Sequence, residues 1–116
     1  MNKQIEKKEI SCIHNGNVTV CMVKLYLDYD FWGEIVDACL ISRFHVEHPD
    51  SPILFKGISK CQDGDVYDEK LGEKIAREKA FKKMNNKIQK MLLALTNYYR
   101  DKAHDFSSLL SKYAND

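Results

Sequence analysis

Apolar and polar positions alternate along the first 60 residues and then, from residue 69 onward, recur every three or four. The first pattern is that of strands and the second that of a helix. EISCIH, NGN and VTVCMVKLYL read in order as strand, tight turn and strand. Asn15-Gly16 supplies the positive φ that a tight hairpin turn demands. In the second strand Thr19, Cys21, Val23, Leu25 and Leu27 fall on one face, and Val18, Val20, Met22, Lys24 and Tyr26 on the other. Both faces are partly apolar, so this strand is expected at the centre of a sheet or covered on both sides. DYDFWGE interrupts the run, and EIVDACLISRFHV follows as a third strand by its β-branched and aromatic content, with a helix over Glu34 to Ser42 as the competing reading. HPDSP is a turn, and ILFKGIS is a fourth strand. The expected class is α+β: a four-stranded antiparallel sheet followed by a long C-terminal helix and a short last helix, all in one domain.

The long helix is expected over 68–102, about 34 residues or roughly 50 Å. Asp68 is its N-cap, and Glu69 and Glu73 suit the positive end of its dipole. Phe81, Met84, Ile88, Met91, Leu95 and Tyr98 recur in alternating steps of three and four, which is a heptad seam. A helix of that length overshoots strands of ~20–30 Å. A second copy is the economical cover, so a homo-oligomer built partly through this seam is expected. His104-Asp105 is read as the end or kink of the long helix, with Asp105 capping a last helix over 105–114 that carries Phe106, Leu109, Leu110 and Tyr113 on one side.

Composition narrows the classes of function. The 116 residues carry 18 Lys+Arg against 17 Asp+Glu, a net charge of +1, so a globally basic nucleic-acid binder is not indicated, although a local basic patch is compatible with it. No apolar run approaches the ~20 residues of a membrane span, and the charged start MNKQIEKKEI lacks the apolar segment of a signal peptide. A soluble protein of the cytoplasm is expected. Cys12, Cys21, Cys39 and Cys61 have no CxxC spacing and sit in apolar runs, so they read as buried, reduced thiols and not as zinc ligands.

No glycine-rich phosphate loop, GxSxG or HExxH is present, and Asp63, Asp65 and Asp68 are out of register for a calcium loop. The expectation is a protein with no catalytic group, metal or cofactor. Binding chemistry remains. Arg77, Phe81 and Asn85 stand at i, i+4 and i+8, on one helix face. A guanidinium holds phosphate, a ring stacks on a base, and a carboxamide reads an adenine edge. On pattern alone, Phe81 as the start of the heptad seam is the stronger reading. Tyr99 and Arg100 repeat these groups further along, and Arg43 is another cation able to face a ligand.

The stretch KGISKCQDGDVYDEKLGEKIAREKAF resembles a strand-turn-helix signature of small phage proteins, through Gly57, Cys61, Asp65, Tyr67, Gly72, Ile75, Ala76, Lys79 and Ala80. With the sheet-then-helix order, it is similar to the phage anti-Thoeris proteins of the first type. Those are sponges for the cyclic ADP-ribose isomers made by bacterial TIR-domain immune enzymes. They hold the signal uncleaved in pockets between protomers, and some form hexamers that also hold cyclic oligonucleotides. The resemblance implies a cyclic nucleotide ligand, and it raises base stacking by Phe81 to equal standing with the seam. At Lys79 the family more often has Arg. The alternative, from another class, is a protein-binding inhibitor of a bacterial defence nuclease, akin to an anti-CRISPR.

Overall fold

The computed structural model describes residues 6–61 and 68–114. Strands β1 (Glu6–Asn15), β2 (Val18–Leu27) and β3 (Ile53–Lys60) form an antiparallel sheet in the order β1-β2-β3. Between β2 and β3 lie helix α1 (Tyr29–Asp37) and a single turn, α2 (Ile41–Phe44); α3 (Glu69–Ala114) follows β3. The β1–β2 loop has two residues, Gly16 and Asn17, with Gly16 at φ 63°, as a type II′ turn requires. The glycine is thus the first central residue, and Asn15 still belongs to the strand. β2 is central, as its two-sided apolarity implies.

The sheet has three strands and not four. Residues 34–46, expected as a strand, instead hold the end of α1, a turn and all of α2. Asp28 caps α1, its carboxylate accepting from the Asp30 amide at 3.0 Å. Phe31, Ile35 and Ala38 follow in steps of four and three and are buried on one side. Cys39 and His45 take left-handed conformations at φ 59° and 55°, which break the segment into short helices and turn it back over the core. Trp32 ties it down, donating its indole N–H to the Val46 carbonyl at 3.3 Å.

Asp68 does cap α3: its Oδ1 accepts from the amides of Lys70 (3.0 Å) and Leu71 (3.3 Å). The helix then runs 46 residues, about 69 Å, with no break at His104-Asp105. Beyond Gly72 it contains neither glycine nor proline, and His and Asp in a helix interior carry only modest propensity costs. No separate last helix exists. The molecule is accordingly long, 79 × 29 × 26 Å.

The helix meets the sheet face carrying Thr19, Cys21, Val23, Leu25, Phe55 and Ser59. Its first contact row is small: Gly72, Ala76 and Ala80 are buried. A Cβ on Gly57 would lie 1.9 Å from the Ala76 carbonyl oxygen and 2.7 Å from the Ala80 amide nitrogen, so backbone meets backbone there. Further along, the row becomes large, with Met84, Met91 and Leu95, and packs on Phe31, Ile35, Phe44 and Val46. The heptad seam is therefore covered by its own chain. The α1–α2 segment supplies what the strands cannot reach, and Phe81, Ile88 and Tyr98 pack partly buried against the same cluster.

The cysteine reading also changes. Cys12 and Cys21 face each other across β1 and β2, their Cα atoms 4.1 Å apart, and are joined in a disulfide. Cys39 is exposed. Reduced thiols therefore give no argument for the cytoplasm. No described helix is long and apolar enough to cross a membrane.

Candidate anion-binding groove

The outer edge of β3 and the flank of α3 together carry cations. Lys79 and Lys83, one helical turn apart, donate to the Ile58 and Lys56 carbonyls at 2.9 and 2.7 Å. These are edge carbonyls with no strand beyond them, so the lysines also blunt the edge against further pairing. Each ammonium has three donors and keeps others for a ligand. Beside them an open groove of about 690 Å³ is lined by Arg43, Phe44, Phe55, Lys83, Asn86, Lys87 and Lys90. A smaller one of about 430 Å³, sharing Lys83 and Asn86, lies over Gly57 and Ile58 with Lys79 and Lys82. Among the described residues neither lining includes a carboxylate.

This concentration of charge stands in a chain of net charge +1. Partial burial disfavours the charged form of Lys87 and lowers its pKa below the usual lysine value. An anion in the groove would reverse that shift by favouring the ammonium. Phe44 and Phe55, both buried, form an apolar floor, and the Arg43 guanidinium lies 5.2 Å from the Phe44 ring centroid. Cations on the walls, a carboxamide and a hydrophobic floor suit a ligand with both phosphate and flat apolar parts.

The residues singled out in the sequence are dispersed. Arg77 and Phe81 line a different groove, about 280 Å³, with Lys70, Glu73, Lys74 and Glu78. Its charges are mixed, and the Lys8 ammonium lies 5.2 Å from the Phe81 ring centroid. Asn85 is exposed and lines neither groove. Tyr99 and Arg100 lie at the far end of the core. Partial burial and the Glu34 and Asp37 carboxylates push the Tyr99 phenol up. Tyr98 donates to the Asp37 carbonyl at 3.3 Å. Only Arg43 belongs to the all-cation groove. Its partners Lys83, Lys87 and Lys90 were missed, because the helical fold of residues 29–44 that brings Arg43 to them was not expected where a strand was read. The i, i+4 lysine spacing beside an edge strand was the available signal.

On the opposite side of α3, His14 bridges sheet and helix, Nε2 to Glu73 Oε1 at 2.8 Å and Nδ1 to Thr19 Oγ1 at 3.1 Å. Hydroxyl, imidazole and carboxylate are in line, but Thr19 is fully buried and its oxygen has no approach for a substrate. The Asp63, Asp65 and Tyr67 positions lie outside the described residues. Among the described residues no three His, Cys, Asp or Glu side chains group to hold a metal ion. Comparison with protein-family models, with curated proteins and with solved structures found no match.

Proposed function

We propose that the chain is a binding protein that sequesters an anionic, nucleotide-like small molecule without cleaving it. The carrying observation is the groove of Arg43, Lys83, Asn86, Lys87 and Lys90 over Phe44 and Phe55, rich in donors and, among the described residues, lined by no carboxylate. The resemblance to the anti-Thoeris sponges supplies the ligand class: a cyclic ADP-ribose isomer or a related cyclic oligonucleotide, captured in the host cytoplasm during phage infection. Phosphates pair with the arginine and lysines, and the base lies along the apolar floor. A homo-oligomer is part of this reading, since an open groove gains walls when a second protomer closes it.

The test is to incubate the purified protein with lysate from infected, Thoeris-positive cells, wash it, denature it by heat and identify the released molecule by mass spectrometry. Release of an intact cyclic nucleotide supports the reading. Linear ADP-ribose accumulating with time and protein would establish an enzyme and overturn it.

One observation favours the second reading, a protein-binding inhibitor. The sheet face away from α3 is uncovered, and the cross-strand row Ile13–Val20–Ile58 runs over it, with Ile13 67% and Ile58 45% exposed. On that reading the lysate yields no small molecule, and a defence protein is retained by the wild type but not by Ile13→Glu.

A further inference from the structure

The distal part of α3 carries a second heptad seam, separate from the buried one. Leu92, Thr96, Tyr99, Ala103, Phe106, Leu110 and Tyr113 recur in steps of four and three, and every one is exposed. Residues 101–114 touch nothing in their own chain closely enough to lose exposure: all fourteen are open to solvent. Phe106 is 65%, Leu110 72% and Tyr113 68% exposed. In proteins most helical stability comes from packing an amphipathic face, and this end of α3 gains none from its own described residues.

We infer that a second copy of this chain covers the seam, in an antiparallel two-fold pair of α3 helices over residues 95–114. Three observations select this occupant. The first is fit. In the antiparallel register that sets Ala103 opposite Phe106 of the partner subunit, Thr96 meets Tyr113 and Tyr99 meets Leu110, so large side chains face small or mid-sized ones in six layers. A parallel pair sets Phe106 on Phe106 and Ala103 on Ala103, leaving a gap between crowded layers.

The second is length. Leu95 is the last fully buried residue of the helix and Ala114 the last described, and this register places them opposite each other. Each helix tip therefore stops where the partner's folded body begins, and the two bodies lie at opposite ends. The third is charge and area. Lys102 meets Ser107 of the partner subunit and Arg100 meets Leu109 of the partner subunit, so no like charges oppose. Lys112 of the partner subunit arrives beside Asn97, one turn from the Glu34 and Asp37 carboxylates that neighbour Tyr99. The exposed Leu, Phe and Tyr side chains of 92–113 amount to roughly 500 Å² per protomer. With the polar rim this approaches the ~800 Å² per partner of a stable interface.

The test uses the full chain. Light scattering at 50 µM is expected to give twice the 13.5 kDa of one chain, and Phe106→Glu with Leu110→Glu to halve that mass, with the sheet domain still melting cooperatively. Ile13→Glu, on the uncovered sheet face, leaves the dimer intact. Orientation is read by a spin label on Lys112→Cys in a Cys39→Ser, Cys61→Ser background. The antiparallel pair separates the two backbones there by about 25 Å, whereas a parallel pair brings them to about 10 Å. A wild type that remains at 13.5 kDa, a dimer that survives the double substitution, or labels at the shorter separation would overturn the inference.

Discussion

At Gly57 the backbone of β3 comes so near to α3 that no side chain fits, the nearest atoms being the Ala76 oxygen and the Ala80 nitrogen. The strand-turn-helix signature thus has a mechanical meaning at four of its positions: Gly57, Gly72, Ala76 and Ala80 let helix and sheet touch, and all four are buried. Lys79, from the same signature, seals the β3 edge by its bond to Ile58. Gly57→Ala must displace helix backbone and is expected to cost about 3 kcal/mol or more, at the upper end of overpacking effects. Urea denaturation measures it, and a loss under 1 kcal/mol would mean that the helix stands further off. Phe81 is a residue where the sequence left two roles open. Its partial burial and the Lys8 ammonium over its ring favour a packing role within the protomer. Phe81→Leu is accordingly expected to leave ligand affinity within twofold of wild type by calorimetry; a tenfold loss would restore the stacking role.

The elements were legible to different degrees. The hairpin, β3 and the start of α3 follow from signals that act locally: Gly16 in a two-residue turn, strict alternation, and an aspartate before the first helical turn. α1 and α2 were legible only in part, through the competing helix over Glu34 to Ser42 that ranked behind a strand. Val36, Ile41 and Phe44 have strand propensity, and only the Asp28 cap with the Phe31–Ile35–Ala38 spacing spoke for a helix. Burial against α3 decided the matter, a tertiary effect that propensity does not contain. The end of α3 was misplaced for the opposite reason. His104-Asp105 looks like a cap, but nothing packs there to stop the helix. Two substitutions test these elements. Phe31→Ala removes a ring that is 2% exposed and is expected to cost about 3–5 kcal/mol, as for a core position. Asp68→Ala removes the α3 cap, and thermal or urea unfolding is expected to register about 1 kcal/mol. A Phe31→Ala effect below 1 kcal/mol would contradict the packing of α1.

On the scale of the whole molecule, a near-neutral chain lines one long edge with six of its 18 Lys and Arg residues. Of the residues singled out for binding in the sequence, Arg43 joins that edge, while Arg77 with Phe81 and Tyr99 with Arg100 lie elsewhere on α3. A one-dimensional pattern finds residues on one helix face, but it does not reveal which other segment folds beside them. The proposed ligand is an anion on a solvent-facing groove, so salt should screen its capture. Raising sodium chloride from about 50 to about 500 mM is expected to weaken binding severalfold, as the Debye length shrinks from about 14 Å to about 4 Å. The most direct test of the central claim is a calorimetric titration of a cyclic ADP-ribose isomer into wild type and into the Arg43→Gln, Lys87→Gln double variant. The expected result is saturable binding to the wild type and at least a tenfold weaker affinity in the variant, about 1.4 kcal/mol or more, with the melting temperature preserved. Equal affinity in the two proteins, or no heat of binding in the wild type, would contradict it.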